Sequence, residues 1–289
     1  MTIDSHGAVE PKGSIIIPAR NEASSIARTL KALFTDIEAD CLDVIVACDG
    51  CTDETANIVR GLGLGVRVVE LPPLGKVAAL RAAEAMTSIL PRIYLDADVE
   101  VPGSAVMNVV EALRAGAVAA RPPLRFCTAG ASWLVRRYYA ARCRIPSVVS
   151  DLCGAGIYGL SASARSRFGD FPDVTADDLF IARLVYAEEI TIVRCEPVIV
   201  TTPTTARALL SVMARIYRGN REMRRKLPQL AFKPVSYAAR GLLRQARYPS
   251  AWIDVCVYAG LSLLGRLASR LSTEEWERDE TSRRSPPPG

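Results

Sequence analysis

Two carboxylates one residue apart, Asp96 and Asp98, follow the short apolar run Ile93, Tyr94, Leu95 and precede a Pro102-Gly103 turn signal. A run so brief and so rich in β-prone residues reads as a buried strand. The pair then stands at the carboxyl end of that strand, where ligands gather in an open α/β sheet. Two hard oxygen groups there suit Mg²⁺ or Mn²⁺, shared with the phosphates of a substrate. The same pattern also fits a solvated acidic turn, so the neighbouring strand ends matter. Asp49 closes the apolar run 42–48, and Lys76 follows Gly75 at the head of an alanine-rich segment. Three strand ends would therefore offer Asp49, Lys76 and the Asp96/Asp98 pair to one crevice.

The elements that must position these groups can be read in order. Residues 14–18 (Ser-Ile-Ile-Ile-Pro) form a continuous apolar run of the kind expected in a sheet buried on both faces. The loop Pro18-Ala-Arg-Asn-Glu22 leads to a helix with Ile26, Leu30 and Leu33 at helical spacing and Ser24 as its cap. A second strand over 42–48 ends in Asp49-Gly-Cys-Thr-Asp53, where Gly50 supplies the turn and Thr52 or Asp53 caps a helix over 54–62. A strand at 66–71, a helix at 77–88, the Asp96/Asp98 strand, a helix near 104–114 and a strand near 117–120 follow. Strand and helix alternate, which predicts a doubly wound, mostly parallel sheet with helices on both faces.

Composition narrows the chemistry. The 289 residues are 49% hydrophobic, enough for a sizeable core. The chain has one histidine, His6, so Ser-His-Asp catalysis and histidine metal clusters are excluded, and a general base must be Asp, Glu, Lys, Tyr or Cys. Eight scattered cysteines suggest no disulfide framework and point to a reducing compartment. Cys48-x-x-Cys51 has metal spacing but lacks a second pair, which argues against zinc. The polar first 13 residues lack the apolar core of a signal peptide, so a cytoplasmic location is expected.

The net charge of +5 is unevenly spread. Residues 207–249 carry eleven Lys/Arg against Glu222, leaving the remainder at about −5. Such a block can meet nucleic acid, an anionic lipid surface or a diphosphate. Nucleic acid ranks last because aromatic residues are not interleaved at useful density. Residues 251–265 are the most apolar run, interrupted by Asp254. At fifteen residues the run is short of the roughly 20 a spanning helix wants. With Trp252 and Tyr258 near its ends it reads as an interfacial or re-entrant helix, or else as a buried helix closing the domain. Residues 133–142 read as another amphipathic helix.

Taken in order, Pro18-Ala-Arg-Asn-Glu22, Asp49-Gly-Cys-Thr-Asp53, Gly75-Lys76 and Asp96-Ala-Asp98 resemble the motif series of family-2 inverting glycosyltransferases of the GT-A fold. Cys51 stands where that family usually has Ser. The resemblance continues through Gly154-Ala-Gly-Ile-Tyr-Gly-Leu-Ser161, Thr175-Ala-Asp-Asp-Leu-Phe-Ile-Ala-Arg-Leu184 and Arg215-Ile-Tyr-Arg-Gly219, and covers roughly residues 13–222. Ala176 replaces a usual Glu, and Gly219 a usual Trp.

The resemblance implies a metal-dependent transfer of a sugar from a nucleotide diphosphate to an acceptor hydroxyl. Asp177 would be the base, with Asp178 the alternative. Pro18, Ala19, Arg20, Glu22, Asp49, Lys76, Asp96, Ala97, Arg215 and Arg218 would bind the donor. Asp98 would hold Mg²⁺ or Mn²⁺, and Gly154, Ala155 and Gly156 would line the acceptor side. The donor half would be 13–122 and the acceptor half 123–222, with a basic and apolar helical C-terminal region at 223–276 and tails at 1–12 and 277–289. A UDP-sugar is the favoured donor. The expected acceptor is a hydroxyl on a lipid or glycan, and the expected location is the cytoplasm or the inner face of the cell membrane. A nucleotide-binding protein without activity, or a nucleotidyltransferase, is the alternative. The latter wants a glycine-rich loop after the first strand, and residues 17–22 lack one.

Overall fold

The computed structural model describes residues 10–146, 150–230 and 251–271. The chain divides into two compact units, each assembled from three segments. The first holds residues up to Pro123, Leu152–Asp173 and Leu184–Val198. The second holds Leu124–Asp151, Val174–Arg183 and residues from Ile199 onward.

The first unit is built on a seven-stranded sheet. Its strands are β1 (Ser14–Ala19), β2 (Asp43–Asp49), β3 (Arg67–Leu71), β4 (Arg92–Leu95), β5 (Ala119–Arg121), β7 (Ile157–Leu160) and β8 (Ile190–Ile192), in the order β3-β2-β1-β4-β7-β5-β8. The pairs β1–β2, β2–β3, β1–β4 and β5–β8 are parallel, and β7 runs against both β4 and β5. Ile15, Ile16, Ile17, Ile45, Val46 and Ile93 are fully buried, as a sheet covered on both faces requires.

The helices of this unit are α1 (Ile26–Leu33), α2 (Thr55–Gly61), α3 (Lys76–Ala85), α4 (Gly103–Arg114) and the short α6 (Ala162–Arg165). Helix α1 buries Ile26, Leu30 and Leu33 as their spacing predicts. Its cap position is Ser25, not Ser24, and Ser25 makes no side-chain cap hydrogen bond, because its hydroxyl donates to Glu22 Oε2 at 2.7 Å. Helix α3 is fastened to β4 from below. Glu84 accepts from Arg92 Nη1 (3.0 Å), Tyr94 Oη (2.6 Å) and Arg165 Nε and Nη2 (2.7 and 2.9 Å). Burial alone would raise the Glu84 carboxyl. The hydrogen bonds from Arg165 and Tyr94 and the charge of the arginines outweigh it and hold the group below its ordinary 4.5.

The second unit contains the two-stranded pair β6 (Leu124–Cys127) and β9 (Val198–Thr201), with α5 (Trp133–Cys143), α7 (Asp177–Leu184), α8 (Ala206–Lys226) and α9 (Trp252–Leu271). Val135, Tyr138, Leu209, Met213 and Leu261 form its core. Tyr138 stacks on Tyr258 with ring centroids 4.8 Å apart. One sequence expectation differs here, and a second is met in one of its alternatives. Residues 123–222 do not form one contiguous half, because β7 and β8 return to complete the first sheet. The C-terminal apolar run is a helix of 20 residues, packed along α5 and α8 as part of the second unit. The last part of the basic block, residues 231–249, lies outside the described residues.

Candidate active site

The site begins with two loops sewn side by side at the carboxyl ends of β1 and β2. Asn21 takes a positive φ of 52°, and its side-chain Oδ1 accepts from the Thr52 amide at 2.7 Å. The Glu22 amide donates to Thr55 Oγ1 at 2.7 Å, and the Ala23 amide to Asp53 Oδ2 at 3.1 Å. Asp53 Oδ1 also accepts from the Thr55 amide at 3.1 Å, one residue before the cap position, which is Glu54 and not Thr52 or Asp53 as the sequence suggests. Cys51 accepts from the Asn21 amide and donates to the Ala19 carbonyl. Its neighbour Cys48 is buried, and burial together with Cys51 pushes the Cys48 thiol up to about 12. These two cysteines serve the turn as small packing groups.

Asp49 is almost fully buried. It accepts from the backbone amides of Leu74 (2.7 Å) and Gly75 (2.9 and 3.0 Å), with Arg20 Nη1 at 3.5 Å from its other oxygen. It therefore fixes the turn that delivers Lys76 to the head of α3. Gly50, at φ 56°, packs so tightly on Pro73 that a Cβ would sit 2.6 Å from the ring. Lys76 Nζ reaches Asp96 Oδ1 at 3.0 Å, so the lysine and the first carboxylate of the pair meet as the sequence suggests. Asp98 is exposed two residues on, and Ala97 between them is buried, its carbonyl accepting from Thr29 Oγ1 at 2.9 Å.

Gly156 completes this edge. Its carbonyl accepts from the Asp96 amide at 2.8 Å. At φ 66° it leaves room where a Cβ would lie 2.5 Å from Val99 Cγ2 and 3.2 Å from Asp96 Oδ2. Gly154 is exposed with φ 90°, and Ala155 between the two glycines is buried. Pro18 is half-buried and Ala19 buried at the end of β1. Glu22 is buried and turned inward to Ser25, so it shapes the loop. The chemistry of the donor set suits a hard divalent cation. Asp96 and Asp98 bring carboxylate oxygens, Lys76 claims one of them, and the remaining coordination would fall to phosphate and water.

The second unit carries the remaining candidates. Asp177 is buried in the first turn of α7, and the Asp178 Oδ1 accepts from the Leu179 amide at 2.7 Å. The loop before α7 is tied to α8 by Thr175, whose hydroxyl donates to Glu222 Oε2 at 2.6 Å. Arg215 is exposed and Arg218 half-buried on α8. Two of the three departures from the family pattern, Ala176 and Gly219, meet in space. A Cβ on Gly219 would stand 3.3 Å from the Ala176 Cβ, so the small residues at 176 and 219 are fitted to each other.

Sequence reading had singled out neither Asn21 nor Glu84 as an organising residue. The signal for the first was available, since asparagine is among the few residues that take a left-handed backbone at a strand end. For the second there was none, because its partners lie 8, 10 and 81 residues away.

Comparison with known proteins identifies the family and the fold. Residues 14–165 match the model of glycosyl transferase family 2. The glycosyltransferase AglD of Haloferax volcanii is 32% identical over 111 residues, which is 36% of this chain and 18% of that protein. The match thus spans about a fifth of that relative's length. A mannosyltransferase from Pyrobaculum calidifontis, PcManGT, solved with GDP-Man and Mn²⁺, superposes with a TM-score of 0.64. It is 20% identical, over 92% of this chain and 89% of its own, and has the same GT-A architecture. The chain belongs to glycosyl transferase family 2.

Proposed function

We propose that this protein transfers a sugar from a nucleotide diphosphate to an acceptor hydroxyl, with inversion at the anomeric carbon. The observation that carries the reading is the pairing of Lys76 with Asp96 beside Gly156, at the edge where Asp49 holds the turn before α3. Lys76 would meet the diphosphate, and Asp96 and Asp98 would hold Mg²⁺ or Mn²⁺, the latter being the ion bound in PcManGT. Such an ion, when bound, neutralises charge on the departing diphosphate.

The backbone of Pro18, Ala19 and Arg20 would line the nucleotide, with Arg215 and Arg218 as further phosphate partners and Gly154 to Gly156 beside the acceptor. Asp177 would accept the acceptor proton while the hydroxyl attacks the face opposite the leaving group; Asp178 is the alternative base. A single displacement of this kind needs no covalent enzyme nucleophile. A UDP-sugar is the favoured donor, and the GDP-Man of the solved relative makes guanine the comparison to run. The acceptor would be a lipid or glycan hydroxyl, met at the inner face of the cell membrane.

The test has two arms. Thermal stability is measured with UDP, GDP, dTDP and CDP, with and without Mn²⁺; stabilisation by one diphosphate that depends on the ion supports the reading, and no shift with any of them overturns it. Asp177→Asn is then expected to abolish transfer while keeping that stabilisation. Full activity in this variant would remove Asp177 from the mechanism.

A further inference from the structure

Helix α9 carries a broad exposed apolar face. Three of its polar residues face the protein: Asp254 and Ser269 are each 1% exposed, and Ser262 is buried with them. Leu261 and Tyr258 pack inward, but six large apolar residues face outward. Leu263, Leu264 and Leu267 are 59%, 51% and 46% exposed, and Trp252, Ile253 and Leu271 are more than half exposed. At 100° per residue these six fall on one arc of the helix, opposite Asp254, Leu261 and Gly265. A helix sharing its core with water outside shows the reverse polarity.

Charge surrounds this arc. Arg266 and Arg270 lie on the exposed side toward the C-terminal end. At the other end Arg137 of α5 and Arg144 just after it hold Asp254 at 3.4 and 2.9 Å, and both remain partly exposed. Four arginines therefore border the face against one aspartate, which is buried. Arg137 also lies over the ring of Trp133, itself about half exposed, so aromatic and cationic groups sit together at that border.

We infer that the exposed face of α9 seats the second unit on an anionic phospholipid bilayer, with the helix lying in the plane of the interface. The 20 residues reach about 30 Å, which is long enough to cross a bilayer. Packing rules crossing out. Helix α9 lies against α8, with Gly265 on Met213, Arg266 over Tyr217 and Arg221 donating to Ser269. Helix α8 carries Arg215, Arg218, Arg221, Arg224, Arg225 and Lys226, and a spanning α9 would drag these charges into hydrocarbon. Lying flat, α9 sinks its leucines below the headgroups, while the bordering arginines meet lipid phosphates and the tryptophans stay at the boundary. This extends the membrane placement proposed above by assigning its surface. Its test reads lipid binding alone, so its outcome is separate from that of the transfer assay.

The experiment is co-sedimentation of the full chain with vesicles of phosphatidylcholine alone or with phosphatidylglycerol added, at low and high salt. Binding is expected to favour the anionic vesicles and to weaken with salt. Leu264→Glu/Leu267→Glu is expected to weaken it at least about tenfold, since both leucines leave the hydrocarbon boundary. Arg266→Gln/Arg270→Gln is expected to lose the anionic preference while keeping residual binding. The melting temperature and diphosphate binding of each variant confirm that the fold survives. No binding by the wild type, or undiminished binding by the leucine variant, overturns the inference. So does a wild-type dimer in lipid-free solution that the leucine variant converts to monomer, because the face would then belong to a second copy.

Discussion

Removing the charge of Glu84 tests the framework that sets Lys76 against Asp96. Helix α3 begins at Lys76 and β4 ends one residue before Asp96, and Glu84 joins the two through Arg92 and Tyr94 while holding α6 through Arg165. Arg92 is 5% exposed and Glu84 9%. Glu84→Gln keeps the shape but leaves two guanidinium groups facing one neutral amide, and its NH₂ must oppose a donor. Removing one partner of a buried ion pair costs about 3–5 kcal/mol. At roughly 2–4 °C per kcal/mol for a chain of this class, the melting temperature should fall by about 6–20 °C at pH 7.

The pH dependence supplies a signature. A carboxyl whose folded value is depressed stabilises fully above its unfolded value, here about 4.5. That contribution disappears as pH drops through the folded value. The gap between wild type and Glu84→Gln should therefore narrow below pH ~4.5. Urea denaturation at several pH values measures it. A variant within about 1 kcal/mol of wild type at pH 7, or a gap unchanged at acid pH, would refute the assignment of net stability to this cluster.

Three further outcomes follow from the same edge. Gly156→Ala places a methyl 2.5 Å from Val99 and 3.2 Å from Asp96 at φ 66°. It should cost about 2–4 kcal/mol and reduce the Mn²⁺-dependent part of diphosphate stabilisation, both read by thermal melts. Asp49→Asn trades an ionised acceptor of the Leu74 and Gly75 amides for a half-donor, and should cost about 1–3 kcal/mol in urea denaturation and weaken nucleotide binding. Lys76→Met removes the ammonium 3.0 Å from Asp96. Calorimetry should show diphosphate affinity down about tenfold, or ~1.4 kcal/mol, with Mn²⁺ affinity in the absence of nucleotide not reduced.

What the sequence disclosed was local. Apolar runs placed β1, β2 and β4, and helical spacing placed the buried face of α1, because each is written within a few neighbouring residues. The meeting of Lys76 with Asp96 was foreseen from their positions at strand ends. The employment of Asp49 was not, since its partners are backbone amides 25 and 26 residues on, and no side-chain pattern marks an amide donor. Glu22 looked equally available and is turned inward by Ser25. The polarity of α9 was hidden for a like reason. Asp254 reads as a break in an apolar run until Arg137 and Arg144, more than a hundred positions earlier, are found holding it.

The excursion of the chain between Arg121 and Ile157 has a consequence for how the rim tolerates changes of length. It leaves from β5 and returns at β7, and these two strands are hydrogen-bonded neighbours. Both ends of the insert are therefore pinned, and lengthening it adds loop-closure cost only slowly, about 0.6 kcal/mol per doubling. Because β7 runs against its neighbours, the returning segment arrives at the rim where β4 finishes and delivers Gly156 to Asp96 whatever lies between. The hand-over of Gly156 to the carboxylate rim is thus set by strand pairing, and the length of the intervening stretch bears on it only weakly.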